Sequence, residues 1–316
     1  MNKFRRLSVP IAVSAALLAA ASGVQAGAIG TGQLDITSLL FTNSAGGTIT
    51  LGVDITPSGT GLLNNGDTFA SLTGEADDSL SNDQVVDGSD FDMLTPGYSC
   101  VGDCAYTNNS FTHLFQPSDL PGGSYVVNDL FLTGTSIQLP GQPATTGANA
   151  EIMAESAVAP NDVGSAEGNV GLNASFVFVA NATDTLNFDF DYDAYLRAAL
   201  LDVDGVTANA SIGWTLSLVD ETDDTLLPYN FDISSDEDWQ LSSVSALNPG
   251  QDREFAWTGT GSGSATLIQG HTYSLTITHE ALADSEAIVA VPAPAPLALV
   301  GLGLLAFGLK RGNKKV

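Results

Sequence analysis

Lysine and arginine are almost missing from most of this chain. Its 316 residues include nine Lys and Arg side chains against 36 Asp and Glu side chains. Seven of the nine lie near the two ends: Lys3, Arg5, Arg6, Lys310, Arg311, Lys314 and Lys315. Segment 27–290 keeps only Arg197 and Arg253 against all 36 acids, so its formal net charge is 2 − 36 = −34. Such a surface repels a phosphate backbone, which excludes nucleic acid as a partner and disfavours an anionic membrane surface.

The sequence motifs of common enzyme classes are missing too. There is no G-x-S-x-G nucleophile elbow, no H-E-x-x-H zinc motif and no P-loop. Carboxylate pairs that could serve glycoside hydrolysis arise by chance among so many acids and decide nothing. His271 and His279 lie at the two ends of one predicted strand, about 26 Å apart, so they cannot bind one metal ion together. The sequence therefore predicts no catalytic residue.

The N-terminus has the three regions of a secretory signal peptide. A positive region at 3–6 is followed by an apolar stretch at 9–21, which is too short for a permanent membrane anchor. Val24 and Ala26 supply the small residues of a cleavage site. The paired arginines leave the twin-arginine route open, but the flanking residues favour general secretion. We expect signal peptidase to cleave after Ala26.

The last 26 residues combine a proline-rich start, an apolar run and a basic end. Pro292 and Pro294 hold the start extended because each fixes φ and removes an N–H. Residues 293–309 can form a helix whose backbone hydrogen bonds are all internal, as lipid requires. Lys310 and Arg311 begin a cluster that stays on the cytoplasmic side. The helix would span roughly 26 Å of a core about 30 Å thick, so it fits either a permanent anchor or a signal that is held briefly and then cut.

This tail resembles the PEP-CTERM sorting signal, which is the substrate tag of exosortases. The shared features are a V-P-x-P start at Val291, a short helix rich in glycine and leucine, and the basic end; Ala293 departs from the family's glutamate. The resemblance implies export, transient inner-membrane retention, removal of the tail by an exosortase-type enzyme, and delivery to the cell surface or exopolysaccharide matrix. The body resembles, more loosely, the EDSAP group of such proteins at 188–200, 211–220 and 271–279.

The two scarce residue types of the body are expected to have structural roles. Cys100 and Cys104 are the only cysteines, and in an exported chain they are expected to form a disulfide. The closed loop is so short that the bond contributes only about 2 kcal/mol. Arg197 and Arg253, isolated among acids, are expected to close ion pairs.

Apolar and polar residues alternate with a period of two along the body, which predicts strands rather than helices. The clearest predicted strands are 33–41, 48–55, 124–132, 175–180, 185–193, 195–203 and 211–219. Residues 64–67, with two asparagines, a glycine and an aspartate, have turn chemistry, and 148–159 fits a short helix or an edge strand. We predict an all-β, jelly-roll-like β-sandwich with one buried and one wet face per sheet.

The predicted organisation has three parts. Residues 1–26 are the signal peptide, 27–290 the secreted body, and 291–316 the sorting tail with its transmembrane helix at 293–309. The body is either one domain or two halves, 27–140 and 165–290. A segment rich in Pro, Ala, Gly and Asn, 139–170, is the best candidate boundary between them.

One acidic strand is a candidate calcium site. On a strand Asp189, Asp191 and Asp193 share a face, about 6.6 Å apart, while Phe188 and Phe190 face the core. Carboxylates so close repel each other unless a cation lies among them, and calcium prefers oxygen ligands. A solvated acidic face in a saline habitat explains the same pattern. Calcium is therefore the one cofactor that the sequence suggests.

Three functions compete. The first is an exported, non-catalytic protein of the cell surface or exopolysaccharide matrix. The second is a calcium-dependent carbohydrate-binding or adhesive module, and the third is a secreted carbohydrate-active enzyme on a β-sandwich. The expected partners are signal peptidase, an exosortase-type enzyme and exopolysaccharide, with transient association with the inner membrane.

Overall fold

The computed structural model describes residues 27–74, 78–88, 97–104, 123–159, 162–200, 206–226, 231–232, 243–248 and 250–287. Gln25–Ala287 form one compact unit. The predicted signal peptide, with Val24 and Ala26, lies outside the described residues. So does the predicted tail with its helix 293–309 and Val291, Pro292, Pro294, Lys310 and Arg311. Within the described ranges, no helix has the length and apolar character needed to cross a bilayer.

Every regular element of the described ranges is a β-strand, as the period-two alternation predicts. The strands are β1 (Ala28–Thr42), β2 (Ile55–Leu72), β3 (Asp78–Gly88), β4 (Gly97–Gly102), β5 (Tyr125–Thr135), β6 (Gly147–Val158), β7 (Gly164–Ala180), β8 (Asp184–Leu200), β9 (Val206–Asp220), β10 (Thr225–Leu226), β11 (Phe231–Asp232), β12 (Ser243–Ala246), β13 (Asp252–Leu267) and β14 (Thr272–Ala287).

The strands form two antiparallel sheets. The first has the order β13-β8-β1-β6-β5-β4; the second has the order β10-β9-β14-β7-β2-β3, with β11 and β12 also paired to β9. The three short strands pair with successive parts of the same edge of β9. They leave little of that edge free to pair with another chain.

The two sheets pack face to face. Strand β1 lies over β9 and β14, β6 lies over β14 and β7, and β5 lies over β7 and β2. Side chains alternate along each strand between the interior and the outer surface. In β9, for example, Ile212, Trp214 and Leu216 are at most 4 % exposed, whereas the residues between them are not buried. This arrangement confirms the all-β prediction and the β-sandwich.

The edge strand β13 places glycines on its inner face. Gly261 lies opposite Phe190 of β8, and Gly259 lies opposite Tyr192. A Cβ atom at either glycine would overlap the ring of its partner. The ring of Phe190 also packs against Trp214 of the other sheet, with centroids 4.5 Å apart. The aromatic side chains predicted to face the core therefore fill the space that side chains on β13 would occupy.

Residues 48–55 do not form the predicted strand. Residues 48–54 make only isolated bridges, because a turn interrupts them, and Ile55 begins β2. The Asp54 carboxylate accepts a hydrogen bond from the Thr50 N–H at 2.7 Å, and Gly52 has a φ of +80°, which suits glycine. Val53 lies at this turn and is 68 % exposed.

Segments predicted as irregular or ambiguous turn out to be central strands. Residues 64–67, predicted as a turn, lie within β2 and pair with both β3 and β7. Residues 148–159 contribute most of β6, which lies between β1 and β5 and is neither a helix nor an edge. The candidate boundary 139–170 therefore contains β6 and the start of β7. Each sheet contains strands from both sides of it.

Candidate functional site

The structure places Asp189, Asp191 and Asp193 on the outer face of the six-stranded sheet. All three are exposed, while Phe188 and Phe190 between them are buried. The predicted alternation of this strand is therefore present. No three carboxylates here approach closely enough to hold one ion between them; within the described ranges, the one such group of potential metal ligands lies elsewhere.

Asp193 also belongs to a row of three acids that runs across adjacent strands. Asp35 of β1 lies between Asp193 of β8 and Glu151 of β6 in the register of the sheet. One carboxylate oxygen of Asp35 accepts a hydrogen bond from Gln33 at 3.0 Å. The other oxygen is buried and finds no donor in the described part of the chain. We call Asp35, Glu151 and Asp193 the acidic row.

Asp35, the central residue of the acidic row, has a raised pKa. Burial raises the pKa of Asp35 from 3.8 to about 7; the Gln33 hydrogen bond opposes this, and the charges of Glu151 and Asp193 add to it. Near neutral pH, Asp35 can release a proton in exchange for a cation. Burial is thus the main cause of the raised pKa, and a cation bound beside the row would favour the ionised form of Asp35.

Hydroxyl side chains continue this face onto the edge strand. Thr258, Thr260 and Ser262 of β13 lie opposite Asp193, Asp191 and Asp189 in that order, and all three are exposed. We call these six residues the acid–hydroxyl face. It offers carboxylates and hydroxyls in regular rows, which can accept and donate hydrogen bonds to sugars or coordinate cations through oxygen.

The opposite end of the same outer face is buried and structural. Glu155, 1 % exposed, accepts hydrogen bonds from the Tyr125 hydroxyl at 2.6 Å and from the Thr31 hydroxyl at 3.0 Å. Burial, and the Glu155 charge beside it, raise the pKa of Tyr125. Arg197, 2 % exposed, pairs through two nitrogens with Asp252, at 3.1 and 3.2 Å. The ion pair predicted for Arg197 is present.

Among the described residues, one group brings three potential metal ligands together. Asp220 ends β9, Asp223 lies in the next turn, and His271 precedes β14; their ligand atoms all lie within 4.8 Å of one another. The Nδ1 atom of His271 is 2.8 Å from Asp220 and 3.8 Å from Asp223. The contact of this turn with His271 depends on the register between β9 and β14, so the sequence alone did not indicate it.

Asp220 of this group also stabilises the turn that follows β9. Its second oxygen accepts the N–H groups of Thr222 and Asp223, at 3.0 and 3.4 Å. Burial acts to raise the pKa of Asp220, but the His271 hydrogen bond and these two N–H groups outweigh it and lower the pKa. The group therefore fixes the turn after β9, and a carboxylate–imidazole pair of this kind suits a transition metal better than calcium.

Cys100 and Cys104 form the predicted disulfide, with Cα atoms 6.0 Å apart. Cys100 lies in β4, an edge strand of the six-stranded sheet, and Cys104 lies just beyond its end. The bond therefore ties the end of this edge strand. Arg253, the other isolated base of the body, is exposed and makes no ion pair with a described residue.

Comparison with known proteins gives no relative for this chain. No protein-family model, no curated protein and no solved structure matches it.

Proposed function

We propose that this chain is an exported, non-catalytic protein of the cell surface or exopolysaccharide matrix. Signal peptidase would remove residues 1–26, the tail would hold the chain briefly in the inner membrane, and an exosortase-type enzyme would cut near Val291 and Pro292. The acid–hydroxyl face is the observation that best supports a matrix role. It is exposed, regular and polar, as a surface that contacts hydrated polysaccharide over a wide area must be.

We propose that the fold is a jelly-roll-like sandwich, which suits a matrix role. Strand β1 pairs with β8 and β2 pairs with β7, which are nested pairings of the kind a rolled-up hairpin makes. Strand β1 also pairs with β6, so we propose a variant of that topology. It presents two wide outer faces and keeps the core between them.

Fractionation of the native protein tests the proposed sorting. The unmodified chain is expected in the surface extract or medium, with a small fraction in the inner membrane. Replacing Pro292 and Pro294 together by alanine is expected to leave the chain uncut and concentrated in the inner membrane. The matched control is Pro143→Ala, at an exposed loop position, which should fractionate normally. Normal fractionation of the double variant would contradict the proposal.

A calcium-dependent adhesive or carbohydrate-binding module is the second candidate function. It is favoured by the unpartnered oxygen of Asp35 within the acidic row. Calcium should then raise the melting temperature at fixed ionic strength, and a chelator should reverse the effect. Asp193→Asn should reduce the response, whereas Asp284→Asn, on the eight-stranded sheet, should leave it intact. A melting temperature that ignores calcium removes this candidate. The described residues add no observation in favour of a carbohydrate-active enzyme.

A further inference from the structure

A cavity of about 90 Å³ lies between the two sheets. Its walls are mostly apolar and come from both sheets, with Phe41, Leu132 and Ala150 on one side and Ala174, Phe176 and Trp214 on the other. The described residues that line it include no charged side chain. Ala174 and Ile277 lie on central strands and face the space between the sheets. They are nevertheless not fully buried, because the sheets do not close against each other here.

One polar side chain in this wall lacks a partner. His279 of β14 lines the cavity and is 1 % exposed. Neither of its ring nitrogens makes a hydrogen bond of good geometry within the described structure, and its one backbone interaction is a weak one with Leu34. Burial lowers the pKa of His279 to about 3, although the weak hydrogen-bond interaction with the Leu34 backbone opposes the shift. The ring is therefore neutral at ordinary pH and offers one donor and one acceptor.

A buried polar group without a partner costs about 1–3 kcal/mol, so its presence requires an explanation. Here the unpartnered ring adjoins an apolar space, which suggests a ligand that supplies the missing hydrogen bond. A β-bulge between Ile36 and Leu39 lies in the same wall, and Ser38 within it has a φ of +59°. Bulges and strained residues of this kind are common next to binding sites.

We propose that this cavity binds a small uncharged amphiphile, with a hydroxyl group at His279 and an apolar body against Trp214 and Phe176. A charged ligand is excluded because a neutral imidazole cannot compensate a buried charge. A dry apolar cavity of about 150 Å³ accommodates benzene. The present cavity is smaller but reaches the exposed Gly134, so part of the ligand extends toward solvent. This inference does not depend on the proposed export or matrix role.

Phenol and benzene are matched probes for the purified full chain, because they differ by the hydroxyl group alone. Binding is measured by calorimetry and by the rise in melting temperature. Both compounds should bind, and phenol should bind about five- to tenfold more tightly, the factor expected from one net hydrogen bond. In His279→Leu, a change of similar volume, that preference should disappear while benzene still binds.

Filling the cavity tests its location. Ala174→Leu should weaken the binding of both compounds at least tenfold, whereas Gly213→Ala, which lies outside the cavity, should change neither affinity. If Ala174→Leu does not fold, the phenol-to-benzene ratio in His279→Leu decides. The proposal is overturned if the unmodified chain binds neither compound, as a water-filled cavity would give. It is also overturned if phenol keeps its preference in His279→Leu, or if a folded Ala174→Leu binds both compounds normally.

Discussion

Two Gly→Ala substitutions should change stability in opposite directions. Gly261→Ala adds one methyl group to the inner face of β13, where it would overlap the ring of Phe190. That ring cannot easily retreat, since it is 2 % exposed and packs on Trp214. Gly213 of β9 has no neighbouring atom within 4 Å of an added Cβ, so the same chemical change meets no obstacle there.

The magnitudes follow from packing and backbone entropy. Overpacking a filled core costs about 1–3 kcal/mol, and replacing a mid-strand glycine by alanine regains about 0.5–1 kcal/mol. Gly261→Ala should therefore lower the free energy of unfolding by about 1–2 kcal/mol. Gly213→Ala should raise it by about 0.5 kcal/mol or more. In a domain of this size 1 kcal/mol shifts the melting temperature by about 2–4 °C.

Urea unfolding of the two variants and the unmodified chain, at one ionic strength, measures both values. The double variant with Phe190→Leu isolates the clash, because Gly261→Ala should cost less once the ring is gone. If Gly261→Ala is neutral or stabilising, or if its cost does not depend on Phe190, the packing of aromatic rings over the glycines of β13 is wrong.

Three further variants test the roles of described side chains. Because the pKa of folded Asp35 is about 7 against an ordinary 3.8, the folded chain holds a proton there that the unfolded chain has lost, so stability falls as pH rises from about 4 to 7. Asp35→Asn should flatten that part of the stability–pH curve and add about 1 kcal/mol at pH 8, after allowance for solvent screening; an unchanged curve would contradict the raised pKa. Tyr125→Phe removes a donor from buried Glu155 and should cost about 1–2 kcal/mol in urea unfolding, and a cost near zero would show that the bond is not formed. Replacing both Cys100 and Cys104 by serine should cost about 2 kcal/mol without changing the circular dichroism of the fold, and loss of the β-sheet signal would show a larger role for the disulfide.

The sequence predicts well those stretches of strand in which one face is core and the other is solvent. In β8 the alternation of Phe188 and Phe190 with Asp189, Asp191 and Asp193 shows both the strand and its two faces, because one face is core and the other is solvent. In β9, Trp214 and its neighbours do the same. These patterns are local, so one sequence suffices to recognise them.

The errors occur where distant pairing or a side chain overrides the local pattern. Residues 64–67 have turn chemistry but pair on both sides with strands remote in sequence. Residues 48–55 have strand alternation but contain a turn closed by Asp54.

The candidate sites depend on strand register, which one sequence does not specify. The acidic row needs three adjacent strands in register, and the contact of His271 with Asp220 needs the pairing of β9 with β14. The cavity beside His279 exists only because two sheets fail to close at one place.

The most direct test of the proposed function is the C-terminal peptide of the native protein, identified by mass spectrometry. The protein is taken separately from the surface extract, the medium and the membrane fraction. We predict a mature chain that ends between Val291 and Pro296 in the surface and medium fractions. A chain that still ends at Val316, found only in the membrane fraction, would contradict it and indicate a permanent C-terminal anchor instead.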